Sequence, residues 1–171
     1  GLAAVGTTHD ETHGTGIGWF SPDGITWHPA GPGLSTGIPR SVVAWHGAFA
    51  AVGLNATDSG AAAWISDGLT WRMTPDQAAF RYGTYPMRML GVTAAGSGLV
   101  AVGWRSDAGN GSAVTWTSTD GSAWKQDPVQ PTFYGATASA VTATTRGSVA
   151  AVGTSGYPDN DAAIVWTRAS P

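Results

Sequence analysis

Ser41-Val42-Val43-Ala44-Trp45-His46-Gly47-Ala48-Phe49-Ala50-Ala51-Val52-Gly53 is the stretch that decides the fold of this chain. β-Branched and aromatic residues fill 41–45, His46-Gly47 supplies a tight turn, and a second apolar run ends on Ala-Val-Gly. This reads as a hairpin of two short antiparallel strands. The closing tripeptide recurs as Ala4-Val5-Gly6, Ala51-Val52-Gly53, Ala101-Val102-Gly103 and Ala151-Val152-Gly153, at spacings of 47, 50 and 50 residues. A period near 50 is that of a four-stranded propeller blade rather than of a helical solenoid.

Working outward, residues 55–60 form a polar loop, 61–65 a third strand, Ser66-Asp67-Gly68 a tight turn and 69–73 a fourth strand. Gly and Asp adopt the turn conformations that other residues resist. Val92-Thr93-Ala94 and Val141-Thr142-Ala143 repeat the first strand. The expected fold is therefore all-β: a β-propeller of four-stranded antiparallel blades, about three and a half to four of them in this chain. It forms one propeller domain or segment over 1–171, with repeats at approximately 1–37, 38–86, 87–136 and 137–171. The first copy supplies strands two to four and the last supplies strands one to three. The predicted strand count is thus three, four, four and three, fewer blades than most closed rings hold. Such a ring closes through remaining blades of a parent chain, through a second copy in a homo-oligomer, or as a strained four-bladed ring.

Side-chain size follows the same plan. Alanines (Ala3-Ala4, Ala50-Ala51, Ala101, Ala150-Ala151) occupy the second strands, near the axis where blades crowd. Trp19, Trp27, Trp64, Trp71, Trp116, Trp124 and Trp166 sit farther out, where the diverging blades leave a wedge to fill. Seven of the nine tryptophans are thereby expected in packing. Trp45 and Trp104 stand outside the repeat and are candidates for ligand contact.

Composition removes several function classes. Charged residues make up 11% of the chain and the net charge is −3, with no basic stripe to follow a phosphate backbone, so nucleic acid is not an expected partner. There is no cysteine, which excludes disulfides, thiolate metal sites and a cysteine nucleophile. No apolar run approaches the roughly 20 residues of a membrane-spanning helix. No signal-peptide pattern is present, and Gly1 enters the repeat in mid-blade, so the N-terminus is expected to be a processing or cloning boundary.

The turns before the fourth strands read Ser21-Pro22-Asp23-Gly24-Ile25-Thr26-Trp27, Ser66-Asp67-Gly68-Leu69-Thr70-Trp71 and Ser118-Thr119-Asp120-Gly121-Ser122-Ala123-Trp124. They resemble the Asp-box, or bacterial neuraminidase repeat, of sialidase-like propellers, whose pattern is Ser-x-Asp-x-Gly-x-Thr-Trp. Here the residue between Asp and Gly is missing, and the second copy also lacks the one between Ser and Asp. The resemblance implies that Asp23, Asp67 and Asp120 bind turn amides, that Trp27, Trp71 and Trp124 pack beneath, and that ligands bind at the opposite end. It also implies a secreted or cell-surface location. A sialidase would bring an arginine triad, a Tyr–Glu pair and an Asp acid/base. The family's Arg-Ile-Pro signature is absent, Ile38-Pro39-Arg40 having the reverse order, and Glu11 is the only glutamate.

The loops joining strands two and three, and those joining one blade to the next, share one end of the blades. Variable loops on a rigid scaffold are where binding concentrates. The first set carries Asp10, Glu11, Asp58, Asp107, Asp159 and Asp161, a ring of carboxylates that suits Ca²⁺. His9-Asp10-Glu11-Thr12-His13 is the densest group of metal-ligating types, but its Glu spacing is wrong for a zinc-protease helix, and Gly14 and Gly16 make it a loop. No cofactor is expected, and metal candidates stop at His9, Asp10, Glu11 and His13. In the loop between the second and third blades, Phe80-Arg81-Tyr82-Gly83-Thr84-Tyr85-Pro86-Met87-Arg88 is the most distinctive segment. Phe80 has a counterpart in Phe133-Tyr134, which points to packing between blades. Arg81, Tyr82, Tyr85 and Arg88 have none as a set, and arginine beside tyrosine suits an anionic or sugar-like ligand or a protein interface. With Trp45 and Trp104 they are the expected ligand-binding residues. The sequence thus points to a binding or assembly module for a glycan or protein rather than to an enzyme. The alternatives are a carbohydrate-active hydrolase and a purely structural array.

Overall fold

A computed structural model describes residues 1–9, 14–107, 111–144, 147–156 and 162–168. The described residues form four antiparallel sheets, each a meander of neighbouring strands. The first sheet is β1 (Leu2–His9), β2 (Gly14–Ser21) and β3 (His28–Pro29). The second is β4 (Gly37–Trp45), β5 (Ala48–Asn55), β6 (Ala61–Ser66) and β7 (Trp71–Met73). The third is β8 (Met87–Ala95), β9 (Gly98–Arg105), β10 (Ser112–Ser118) and β11 (Lys125–Gln126). The fourth is β12 (Ala136–Ala143), β13 (Val149–Ser155) and β14 (Ala162–Arg168). The count of three, four, four and three strands is the one the repeat predicts.

The fourth strand of the second sheet, β7, is shorter than the expected 69–73. Leu69 and Thr70 belong to the turn, because their amides are taken by the Asp67 side chain and not by β6. No helix is long and apolar enough to cross a membrane among the described residues.

Consecutive sheets pack face to face, β4 against β1, β8 against β4 and β12 against β8. Strand periodicity explains how one motif serves two interfaces. Ala51 points into the core shared with the first sheet, whereas Val52 points into the core shared with the third. Ala101 and Val102 divide in the same way between the second and fourth sheets. A strand buried on both faces reads as an unbroken apolar run, and β5 is buried from Phe49 to Leu54.

The glycine of each Ala-Val-Gly has a steric cause. β4, β8 and β12 each carry a β-bulge, between Pro39 and Ser41, Met89 and Gly91, and Ala138 and Ala140. The bulge pushes a carbonyl toward the neighbouring strand. A Cβ on Gly53, Gly103 or Gly153 would collide with the carbonyl oxygen of Ile38, Arg88 or Thr137 respectively. In β1, which pairs only with β2, a Cβ on Gly6 would meet nothing closer than the Trp19 ring at 3.8 Å.

Short 3-10 turns at Leu34–Thr36, Ala78–Phe80 and Pro131–Phe133 lead from one sheet to the next. Leu34 and Phe80 are buried in the first and second cores, and Phe133 meets Trp166 edge-on at 5.5 Å in the third. The aromatic at this place is packing between sheets, as the Phe80–Phe133 correspondence suggests.

Tryptophan burial corrects the uniform expectation. Trp64, Trp71, Trp116 and Trp124 are buried, but Trp27 is 42% exposed and Trp19 and Trp166 are half-buried. The difference lies in the neighbours. Trp71 and Trp124 are each covered by the preceding sheet, and among the described residues no sheet precedes the first.

Candidate functional site

The two ends of the sheets are chemically distinct. At one end lie the turns after the first strand of each unit and the Asp-containing turns. In each of these turns one carboxylate oxygen closes the chain on itself. Asp23 Oδ1 accepts from the amides of Ile25 and Thr26, each at 2.8 Å, and from Ser21 Oγ at 3.0 Å. Asp67 Oδ1 accepts from Leu69 and Thr70 at 3.0 and 2.9 Å, and Asp120 Oδ1 from Ser122 and Ala123 at 2.8 and 2.7 Å.

The serine before each Asp accepts from the glycine amide, at 2.9 Å from Gly24, Gly68 and Gly121. Those three glycines have φ of 78°, 101° and 71°, which a side chain resists. Amide donors favour the ionised acid. The Ile25 and Thr26 amides accordingly lower the Asp23 carboxyl from 3.8 to about 2, and the corresponding amides lower Asp67 and Asp120. These carboxylates are spent on the fold.

Trp45 belongs to this same end. It closes β4, donates Nε1–H to the Ser97 carbonyl at 3.3 Å and stacks edge-on with His46 at 4.6 Å. A Cβ on Gly121 would sit 3.1 Å from its ring, so Trp45 fills the seam against the Asp120 turn. It is packed against the core between the second and third sheets and lies away from the other ligand candidates.

The opposite end carries the loops between sheets, and there the third sheet and its leading loop form two groups of side chains, Arg88 with Trp104 and Tyr82 with Tyr85 and Arg105. β8 begins with Met87-Arg88 and pairs with the end of β9, so Arg88 lies across from Trp104 and Met87 from Arg105. The Arg88 guanidinium stands 5.8 Å above the Trp104 ring. It also grips Asp58 of the preceding sheet, Nε to Oδ1 at 2.8 Å and Nη2 to Oδ2 at 2.5 Å. Asp58 has φ 53°, held in a left-handed bend by this loop. The two side chains are 38% and 46% exposed, so the pair contributes at most about 1 kcal/mol and serves mainly to fix the loop.

Tyr82 and Tyr85 face each other across an isolated bridge, with ring centroids 6.2 Å apart and both rings more than a third exposed. The Arg105 guanidinium lies on the Tyr82 ring, 3.8 Å from its centroid. Arg105 Nε is buried with no hydrogen-bond acceptor. Among the described residues no carboxylate pairs with Arg105, whereas Arg81 is paired with Asp76, Arg88 with Asp58 and Arg168 with Asp127.

The structure thus sets Arg88 with Trp104 in one group and Tyr82 with Tyr85 in another, holds Arg81 to one side in its own ion pair, and leaves out Trp45. Arg105 is the residue the motif reading passes over. Its signal is present in the sequence: the positions after the four Gly residues read Thr7-Thr8, Leu54-Asn55, Trp104-Arg105 and Thr154-Ser155, and only one copy carries a cation.

The carboxylates of this end do not assemble into an ion site among the described residues, where no group of three His, Asp or Glu side chains is found. Asp58 is held by Arg88. Asp107 accepts from the Gly111 amide at 2.9 Å and from Ser112 Oγ at 3.0 Å, which closes its own loop. Asp10, Glu11, His13, Asp159 and Asp161 lie outside the described residues, as does the side chain of His9. No protein-family model matches the chain, and no curated protein matches it.

Proposed function

We propose that this chain is a segment of a β-propeller that acts as a binding module, and that its loop end holds an anionic sugar against Tyr82, Tyr85 and Arg105. The observation that carries this reading is the Arg105–Tyr82 stack: a half-buried guanidinium, oriented by an aromatic face and lacking a carboxylate partner among the described residues. An unpaired cation is costly to desolvate, and a ligand carboxylate offsets that cost through charge-assisted hydrogen bonds. The exposed Tyr rings offer apolar faces for the C–H side of a sugar and hydroxyls for its polar rim. The antiparallel meanders, packed consecutively face to face, agree with blades of a propeller, and the Asp turns agree with the sialidase-like resemblance. The carboxylates beside the cluster are engaged in holding loops, which favours binding over hydrolysis.

The test is titration of the chain with uronic-acid oligosaccharides and their neutral counterparts, followed by calorimetry or amide chemical shifts. Binding of the acidic series, weakened at least tenfold by Arg105→Gln and by Tyr82→Ala and only partly rescued by Arg105→Lys, is the expected outcome. Equal affinity for the neutral sugars, or binding indifferent to both substitutions, refutes the assignment.

A further inference from the structure

Three aspartates of the chain precede a glycine, and all three lie in the Asp turns: Asp23-Gly24, Asp67-Gly68 and Asp120-Gly121. Asp-Gly is especially prone to rearrange, because glycine has no side chain to shield its nitrogen. That nitrogen forms a bond to the Asp Cγ, and the hydroxyl of the protonated carboxyl leaves with the amide proton as water, which gives a succinimide. Water then adds at the Asp main-chain carbonyl carbon and breaks its bond to the same nitrogen. The product is isoaspartate, with one extra main-chain carbon and its free carboxylate on Cα in place of Cβ. Ring closure needs three things, and each turn opposes all of them. The glycine N–H must be released, and in every copy it donates to the serine Oγ at 2.9 Å. Cγ must swing onto that nitrogen, but Oδ1 is held by two amides farther along, at 2.8 Å in the first turn, 3.0 and 2.9 Å in the second, and 2.8 and 2.7 Å in the third. Ser21 and Ser118 add an O–H donor to it at 3.0 and 3.3 Å. The carboxyl must be protonated to lose its hydroxyl, and the same amides keep it ionised. Two of the turns are also seated against the preceding sheet. A Cβ on Gly68 would lie 2.9 Å from the Phe20 ring, and one on Gly121 would lie 3.1 Å from the Trp45 ring.

We infer that the three Asp turns are latent isomerisation sites, which the folded hydrogen bonds hold shut and unfolding opens. Isoaspartate at Asp23, Asp67 and Asp120 then records the time a molecule has spent unfolded. The serine is the gate. It is the one side chain that holds the attacking nitrogen in every copy, and its removal frees that N–H while the two farther amides stay in place. The opening that matters is local, since a turn can fray without the sheets coming apart. The inference uses the Asp turns alone and is independent of the reading of the loop end.

The test ages the full chain at one pH, folded in buffer and unfolded in guanidinium chloride. Isoaspartate is then read at each turn by a protease that cuts before aspartate but not before isoaspartate, followed by mass spectrometry. The folded chain is expected to accumulate it at least about tenfold more slowly at all three positions, since several hydrogen bonds must break before the ring closes. In the folded state, Ser118→Ala should raise the rate at Asp120 about fivefold, the factor carried by one ordinary hydrogen bond, and leave Asp23 and Asp67 unchanged. Ser118→Thr, which keeps the hydroxyl, should restore the slow rate. Equal rates in the folded and unfolded parent overturn the inference, and that comparison stands even where the alanine variant fails to fold. A folded Ser118→Ala chain that ages like the parent, or that ages faster at all three turns alike, overturns it as well.

Discussion

Trp124 and Trp27 occupy the same place in the repeat and differ in what covers them, so truncating each to alanine separates packing from motif. Trp124 is 6% exposed, shares a core with Trp116, Met87 and Ala63, and donates Nε1–H to the Gly121 carbonyl at 3.0 Å. An indole buries about 200 Å² of largely apolar surface, which at about 25 cal/mol per Å² sets an upper bound near 5 kcal/mol. Trp124→Ala is therefore expected to cost about 3–5 kcal/mol, cavity included. Trp27 is 42% exposed and leaves no enclosed cavity, so its truncation is expected to cost about 1–2 kcal/mol. In a chain of this length each kcal/mol moves Tm by roughly 2–4 °C. Thermal melts followed by far-ultraviolet circular dichroism should then place Trp124→Ala on the order of 10 °C below parent and Trp27→Ala only a few degrees below. Equal losses would refute the argument that a neighbouring sheet, and not the Asp turn itself, gives these tryptophans their energy.

Acid should unfold the chain through the Asp turns. The folded-state pKa of Asp23 is lowered from 3.8 to about 2 by the Ile25 and Thr26 amides, and Asp67 and Asp120 shift the same way. The contribution of Asp23 is therefore fully present above the unfolded value and is lost as pH falls from about 3.8 toward 2, and those of Asp67 and Asp120 are likewise lost on acidification. Urea midpoints measured from about pH 3.8 toward 2 should fall for the parent and fall less steeply for Asp23→Asn; identical slopes would count against the shifted acid. Gly33 has φ 121°, and a Cβ there would strike the Trp71 carbonyl oxygen, whereas Gly47 has φ 75° with nothing within 4 Å. Gly33→Ala should consequently lower the urea midpoint well beyond Gly47→Ala, which meets only the left-handed penalty of about 1–2 kcal/mol. Similar midpoints would mean that the seam between the first two sheets gives way easily.

The repeat was legible in the sequence because a strand, a turn and a carboxylate cap each act over a few residues. Ser66-Asp67-Gly68 could be assigned to a turn because glycine tolerates the left-handed bend and the Asp oxygen reaches the next amides. Burial was legible only where a neighbour stands on each side: Trp27 and Trp71 sit in near-identical local sequences, and nothing local says that among the described residues a sheet covers Trp71 and none covers Trp27. Trp45 looked free because it broke the repeat, yet its place at the end of a first strand puts it with the Asp turns. Arg105 broke the repeat just as plainly, one residue after Trp104. Its pairing with Tyr82, however, spans a loop whose path no periodicity describes.

The bulges in β4, β8 and β12 act as phase shifters. An extra residue in mid-strand reverses the alternation of faces, so the two halves of an inner strand are set in opposite parity. Arg88 lies on the loop side of the bulge in β8, and Val92, in the core with Ala101, lies on the other. Removing Leu90 would make β8 regular in the register it already has, Met89 across from Gly103 and Gly91 across from Val102, so Arg88 would stay across from Trp104 and Val92 across from Ala101. Each inner strand thus carries a one-residue step that its partner lacks, so its alternation of inward and outward side chains must be counted separately on the two sides of the bulge.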